Sequence, residues 1–280
     1  MQAKVSVCGS AAFWATLVLY GFSSTEPAQA APFAYVANTD SNTVSVIDTA
    51  TNAVAATIRV GKAPVAVAVC PDGTRVYVAN QNDHTLSVID TAANKTMATI
   101  PAGRFPVGVA VTPDGARVYV ANFSIASQTV TVIDTAAKSL TATISVGTSP
   151  NGVAVAPDGE HAFVANAVSN TVSQIATPSN TVVGTAGVGK SPLAVAVTPD
   201  GKHVYVANAA SDTVEVIDTA ANSVRDAVRA GRRPVALVIM PDGDHVYVVN
   251  EFSNTVRSSP RRPTPSRARS RSARNPWASP

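Results

Sequence analysis

The stretch Pro71-Asp72-Gly73-Thr74-Arg75-Val76-Tyr77-Val78-Ala79-Asn80 decides the fold, because near copies of it recur along the chain. Its Tyr-Val-Ala-Asn part, or a close variant, begins at Tyr35, Tyr77, Tyr119, Phe163, Tyr205 and Tyr247. Successive copies start 42, 42, 44, 42 and 42 residues apart. A fixed period of this length predicts a repeat architecture, in which each repeat is one structural unit stacked on its neighbours.

Three other motifs recur at fixed positions relative to this stretch. A Gly-x-x-Pro segment starts at Gly61, Gly103, Gly147, Gly189 and Gly231. A Pro-Asp-Gly turn starts at Pro71, Pro113, Pro157, Pro199 and Pro241, and Val-Ile-Asp-Thr starts at Val46, Val88, Val132 and Val216. Because every marker recurs, each is expected to serve the fold of its repeat.

Each repeat divides into four short extended runs rich in β-branched residues, as in 64–70, 75–80, 85–89 and 95–101. Pro-Asp-Gly joins the first two runs with residues that favour a tight turn, so neighbouring runs should pair as antiparallel strands. Val76 and Val78 point to one side of the second strand, while Tyr77 and Ala79 point to the other. Both sides are apolar, which predicts a sheet packed between two neighbouring sheets. Four-stranded antiparallel blades repeated radially make an all-β propeller.

These motifs resemble the YVTN-type β-propeller repeat of bacterial and archaeal exported and surface-layer proteins, over about residues 33–256. The resemblance implies a propeller that usually has seven blades. The same repeat is similar to the wider lactonase-like superfamily, which includes enzymes, so the resemblance does not fix an activity.

The chain holds fewer repeats than that family usually has. Four blades are whole, from about residue 63 to 230, with partial blades at 33–60 and 234–256, so five to six blades are expected. Val235–Ile239 could complete the first partial blade and close a five-bladed ring. The alternative is an open arc, whose exposed edges invite edge-to-edge self-association.

Residues 1–30 are typical of a secretory signal peptide. Lys4 supplies the positive charge, 11–22 the apolar core, and Ala28-Gln29-Ala30 a small-x-small cleavage site. We expect cleavage after Ala30 and a mature protein without a transmembrane segment, because the apolar run is short for a span. The protein should therefore be exported to the periplasm, the cell surface or the medium.

Residues 257–280 form an Arg/Ser/Pro-rich tail, which carries seven of the 21 basic residues and none of the 18 acidic ones. This composition predicts disorder. The tail starts in the middle of a repeat, and suitable codons for 257–262 read from the third base encode Val-Ile-Ala-Thr-Pro. An out-of-frame reading of a further repeat is therefore the alternative. Apart from Trp277 the tail has no stacking aromatic residue, so no nucleic-acid partner is expected.

No catalytic, metal or cofactor site is expected from the sequence. His161, His203 and His245 recur in register, but equivalent positions on adjacent blades diverge and cannot converge on one ion. His84 lies outside that pattern and has no visible partner, which makes it the residue to test in the alternative of a lactonase-like or lyase-like enzyme. Cys70 replaces Thr of sister repeats and is expected to be a buried, unreactive thiol.

Strand alternation places the Gly-x-x-Pro segments and the loops between second and third strands on one face of the propeller. Four of the five segments carry a cation there, which would focus a positive potential. The candidate ligand-binding residues are Lys62, Arg104, Phe105, Lys190, Arg232 and Arg233. The sequence favours a non-enzymatic envelope protein that binds a protein, a peptide or an acidic glycan on this face. A purely structural surface-layer-type repeat protein remains the other alternative.

Overall fold

The computed structural model describes residues 33–124 and 128–260, which form six small antiparallel sheets arranged as a six-bladed β-propeller. The only helical element in these ranges is one 3₁₀ turn at Glu251–Ser253. The expected signal peptide at 1–30 and residues 261–280 of the expected tail lie outside the described residues.

The blades follow one another along the chain, and each sheet pairs its strands in sequence order. The first blade contains β1 (Phe33–Asn38), β2 (Thr43–Asp48) and β3 (Ala53–Arg59). The second contains β4 (Pro64–Val69), β5 (Arg75–Asn80), β6 (Thr85–Asp90) and β7 (Lys95–Pro101), and the third contains β8 (Pro106–Val111), β9 (Arg117–Phe123), β10 (Gln128–Asp134) and β11 (Ser139–Ser145). The fourth contains β12 (Pro150–Val155), β13 (His161–Asn166), β14 (Thr171–Ala176) and β15 (Thr181–Gly187), and the fifth contains β16 (Pro192–Val197), β17 (His203–Asn208), β18 (Thr213–Asp218) and β19 (Ser223–Arg229). The sixth contains β20 (Pro234–Ile239), β21 (His245–Asn250) and β22 (Thr255–Pro260). Four whole blades with a partial blade at each end confirm the fold expected from the repeats.

The turns form as their residues dictate. Gly73 adopts φ of 70°, and the Oδ1 atom of Asp72 accepts a hydrogen bond from the Thr74 N–H at 2.9 Å. Gly permits this left-handed conformation and Asp closes the turn, so the first and second strands pair as a hairpin. Asp90 caps the next hairpin by accepting from the N–H groups of Ala92 and Ala93, at 2.9 Å each.

The core lies between neighbouring blades. Val76 and Val78 pack against Tyr35 of the first blade, whereas Tyr77 packs against Val118 and Val120 of the third. All of these side chains are buried, which confirms that the two sides of the second strand face two different neighbouring sheets. Burial of apolar area between blades is the main contribution expected to stabilise this fold.

The five-bladed ring considered above is wrong. The strand β20 pairs with β21 of its own blade, and in the described ranges the first sheet consists of β1, β2 and β3. Each blade packs on the next along the chain, but among the described residues no packing of that extent joins the sixth blade to the first. Accordingly Tyr247 is 37% exposed, whereas its counterparts Tyr77 and Tyr119 are at most 1% exposed.

The strand β22 continues past Val256, where the repeat pattern of the sequence stops. Its register pairs Tyr247 with Ser258, whereas the second blade pairs Tyr77 with Val88 at the same place. The backbone therefore keeps the blade geometry for residues 257–260 although a polar residue takes the place of an apolar one. No fourth strand follows β22 within the described chain.

Candidate functional site: the connector face

The connector face consists of the Gly-x-x-Pro segments that link successive blades, here called connectors, and the loops between the second and third strands. Backbone hydrogen bonds hold the two together within each blade. The N–H of Gln81 donates to the carbonyl of Ala63, and that of Glu251 to the carbonyl of Arg233, at 2.9 Å each. The expectation that these segments share one face is thereby confirmed.

The connector also bonds to the preceding blade. The N–H of Ala63 donates to the Oδ1 atom of Asn42 at 2.8 Å, and the N–H of Arg233 donates to Asp212 Oδ1 at the same distance. In all five connectors the residue before proline adopts a positive φ of 51° to 55°. This conformation is unusual for non-glycine residues. In this conformation the residue donates its N–H to the preceding blade and accepts at its carbonyl a hydrogen bond from its own blade. The residue before proline therefore links the two blades.

His84 takes the place that Asn42 occupies in the first blade. Its Nδ1 atom accepts a hydrogen bond from the Phe105 N–H at 3.1 Å, and its ring meets the Phe105 ring edge-on, with centroids 4.7 Å apart. The expectation that His84 has no partner is wrong. Its bonding role matches that of the Asn and Asp residues in the other blades, so its position is structural.

The six candidate residues divide into two groups by exposure. The side chains of Lys62, Arg104, Lys190 and Arg232 are exposed, and none forms an ion pair with any described residue. Phe105 and Arg233 occupy the positive-φ position and are half-buried. Phe105 packs under His84, and the Arg233 Nε atom lies 3.3 Å from Glu251 Oε2. Four of the six candidate residues thus present an exposed cationic group on this face.

Most carboxylates near these cations are already engaged. Asp83 Oδ2 accepts from the Lys62 N–H at 2.6 Å, Asp212 bonds a connector N–H, and Glu251 pairs with Arg233. Asp40 is an exposed exception in the first blade. Engaged carboxylates still carry charge, but they lie against the backbone while the cations extend into solvent. The cationic groups are therefore more exposed to solvent than the engaged carboxylates on this face.

A cavity of about 390 Å³ opens on this face between the fifth and sixth blades. It is lined by Ser191, Ala209, Ala210, Asp212, Arg232, Arg233 and Phe252. Two of the residues expected from the sequence, Arg232 and Arg233, therefore come together in one cavity. The other four candidates lie on other connectors.

A larger cavity of about 570 Å³ lies on the opposite face, between the third and fourth blades. Several polar groups that line it already form hydrogen bonds within the hairpin turns or between the two blades. Asp114 Oδ1 accepts from Thr112 Oγ1 and from the Ala116 N–H, and an Arg117 guanidinium N–H donates to the Thr177 carbonyl at 2.6 Å. The bond from Thr112 and then that from Ala116 lower the pKa of Asp114. These groups stabilise the hairpins and the contact between blades, so we place no site there.

No group of three or more metal-ligating side chains occurs in the residues that the structure describes, and no helix in those residues is long and apolar enough to cross a membrane. His161, His203 and His245 each open the second strand of their own blade. Cys70 is buried, and burial followed by a hydrogen bond to Asp72 raises the pKa of its thiol to about 11.

Sequence reasoning missed Phe252, which is 57% exposed beside Arg233 in the smaller cavity. The sequence does mark Phe252 as a departure from the repeat, because the corresponding loop residues Asn82, Val168 and Ala210 are not aromatic. Its importance depended on knowing that the loop of the sixth blade meets the connector carrying two arginines. That juxtaposition is a property of the folded blade.

Comparisons with known proteins agree with this fold. Residues 154–257 match the family described as YNCE-like beta-propeller. A solved structure of a functionally unknown protein from Desulfotomaculum acetoxidans DSM 771 is similar with a TM-score of 0.72 and 21% identity, covering 80% of this chain and 78% of that one. Kuenenia stuttgartiensis hydrazine synthase is similar with a TM-score of 0.60 and 20% identity, covering 82% and 92%. At such identities these structures support the fold alone.

No curated protein matches the chain. The 42-residue repeat and the six sheets show that the chain is a six-bladed β-propeller. Over residues 154–257 it is similar to the YNCE-like propellers.

Proposed function

We propose that this protein is an exported binding protein of the cell envelope, whose connector face takes an acidic protein, peptide or glycan. The observation that carries the proposal is the set of four exposed cations that form no ion pair with any described residue, each on a different connector: Lys62, Arg104, Lys190 and Arg232. A rigid scaffold that presents charge from short connecting segments is a common way to build a binding surface.

The connectors are well suited to hold such charges in place. Each connector is bonded to two blades or to its own loop through the backbone, so the Cα atoms of the cations are fixed while their side chains are exposed to solvent. Several cations in a fixed arrangement favour a ligand with several negative charges over a single anion. The interaction should weaken with added salt, because exposed charges are screened.

Binding of polygalacturonate, compared with uncharged dextran, tests the proposal in the full chain. We expect saturable, salt-sensitive binding that falls about tenfold in the triple variant Lys62→Gln, Arg104→Gln, Lys190→Gln, since each exposed charge contributes a few tenths of a kcal/mol or more. The matched control removes three exposed lysines from the opposite face and should bind as the parent protein does. Its changes are Lys95→Gln, Lys138→Gln and Lys202→Gln.

Equal losses in the two triple variants would contradict the proposal, because net charge alone would then explain the binding. Equal binding of dextran and polygalacturonate would also contradict it. Export is tested separately by fractionating the producing cells and sequencing the N-terminus of the mature protein. A chain that begins at Ala31 outside the cytoplasm supports export, and an intact Met1 in the cytoplasm opposes it.

A second candidate function is structural self-association, favoured by the uncovered face of the sixth blade. Met240, Tyr247 and Val256 are 38%, 37% and 48% exposed there, whereas their counterparts in the second blade are at most 4% exposed. An apolar face of this kind can pair with another copy. Light scattering should show a mass that rises with concentration in the parent protein but not in Tyr247→Glu. The control Val183→Glu, on an outer strand, should behave as the parent does.

A further inference from the structure

The cavity between the fifth and sixth blades departs from the repeat. The connector between the fifth and sixth blades carries two cations, Arg232 and Arg233, whereas each of the other four connectors carries at most one. The loop facing it carries Phe252 where the fifth blade has Ala210. The backbone bonds of this connector match those of its sister connectors, so the fold requires neither the second arginine nor the aromatic ring.

Arg233 forms a fixed wall of the cavity. Its guanidinium carbon lies 4.9 Å from the centroid of the Phe252 ring, and its Nε atom is 3.3 Å from Glu251 Oε2. The stacked ring and the carboxylate both contact the side chain, and the carboxylate offsets part of its charge. Arg233 therefore shapes the cavity and keeps Phe252 in position.

Arg232 is the free cation of the cavity. Its backbone N–H donates to Ser253 Oγ at 2.7 Å, which fixes the Cα atom, while its exposed side chain has no ion-pair partner among the described residues. Asp212 also lines the cavity, and its Oδ1 accepts from the Arg233 N–H. A second negative charge on a ligand would be opposed by Asp212, so the cavity suits a single anionic group.

The rest of the lining is small or aromatic. Ala209 and Ala210 leave room beside Phe252, which is 57% exposed, and the volume of about 390 Å³ is within the range of sites for small ligands. From these contacts we infer that the cavity binds a monocarboxylate joined to a planar apolar group, with the carboxylate on Arg232 and the apolar group on Phe252. A peptide ending in an aromatic residue and a free aromatic acid both have this chemistry.

The inference rests on the proposed binding role of the connector face and assigns one subsite within it. The inference is tested by titrating the full chain with N-acetyl-Gly-Phe. Binding is monitored by calorimetry or by the NMR shifts of the Arg232 and Phe252 amides. We expect saturable binding of the free acid and at least tenfold weaker binding of N-acetyl-Gly-Phe amide. Phenylacetate distinguishes the sources: comparable binding identifies a free acid as sufficient, and much weaker binding identifies a peptide end.

Two variants complete the test. Arg232→Gln should weaken the free acid about tenfold, because a charge-assisted bond is lost, and Phe252→Ala should weaken both the peptide acid and phenylacetate. Lys202→Gln on the opposite face is the charge-matched control and should leave binding unchanged. Equal affinity for acid and amide, or equal weakening by Arg232→Gln and Arg104→Gln, would overturn the inference. If the parent protein binds polygalacturonate but not N-acetyl-Gly-Phe, this subsite alone is overturned and the proposed function stands.

Discussion

Replacing Tyr77 with Phe should stabilise the protein, whereas replacing Tyr119 with Phe should destabilise it, although the two tyrosines occupy the same place in successive repeats. The Tyr119 hydroxyl donates to Asn180 Oδ1 at 2.8 Å. The Tyr77 hydroxyl is buried and has no hydrogen-bond partner within the described part of the chain. Burial raises the pKa of both tyrosines, and the nearby Arg75 guanidinium opposes the rise at Tyr77 without forming a bond of normal geometry.

The magnitudes follow from these contacts. A buried hydroxyl without a partner costs about 1 to 3 kcal/mol, so removing it in Tyr77→Phe should increase the free energy of unfolding by about 1 kcal/mol. Tyr119→Phe loses one hydrogen bond, with a net cost of about 1 kcal/mol, since half-buried Asn180 can still reach water. The two variants should therefore differ by about 2 kcal/mol. Phe163 already occupies this position in the fourth blade and is fully accommodated.

The difference originates in the turn of the following blade. Asn180 follows Ser179 in the fourth blade, and the equivalent residue in the third blade is Lys138, which adopts the same positive φ but offers no acceptor. Lys138→Asn should supply the missing acceptor to Tyr77. It should therefore stabilise the parent protein by about 1 kcal/mol more than it stabilises Tyr77→Phe, a coupling that a double-mutant cycle measures.

Urea unfolding followed by circular dichroism provides the assay, with the midpoints compared at a common slope. The reasoning is refuted if Tyr77→Phe lowers the midpoint as much as Tyr119→Phe does. A zero coupling between Tyr77 and Lys138→Asn would refute the account of the acceptor.

Three further variants test other parts of the fold. Gly108→Ala should destabilise by about 2 kcal/mol or more, because the new Cβ would lie 2.1 Å from the Asn151 carbonyl oxygen of the adjacent inner strand. Gly187→Ala is the control, since its new Cβ would have no atom of the described residues within 4 Å, and equal midpoints of the two variants in urea would contradict the packing. Cys70, with its pKa raised from 9.0 to about 11, should react with a thiol reagent at pH 8 only as the chain unfolds. Because the unfolded thiol ionises first, the contribution of Cys70 to stability should be intact below pH 9 and decline from pH 9 towards 11; a decline that persists in Cys70→Ala would show another cause. His84→Asn should unfold near the parental midpoint, since Asn42 makes the same hydrogen bond in the first blade, whereas His84→Ala should lower the free energy of unfolding by about 1 kcal/mol. Equal losses of stability in the two variants would show that the ring contact, not the hydrogen bond, matters.

The candidate site was predicted in part. The positions of the connectors and loops within the repeat are enough to place them on one face, because strands alternate in direction. Lys62 and Lys190 are exposed there as expected. Phe105 and Arg233 are less available than expected. Both adopt a positive φ and pack against a neighbour, a conformation set by bonds to two different blades. Such bonds join residues about 21 positions apart and leave no local sequence signal.

The sequence by itself determined the blade. The 42-residue period, the turn residues and the two-residue alternation are local properties, and they are sufficient to specify where strands begin, how they pair and which sides are buried. Only the tertiary structure decided how the ends of the chain are arranged and where the repeat is broken. The pairing of β20 with β21, the uncovered Tyr247 and the cavity beside Phe252 depend on contacts between blades. The reason is physical: every blade carries nearly the same pairing pattern, so the local pattern cannot specify which blade a terminal strand joins or what covers the last face.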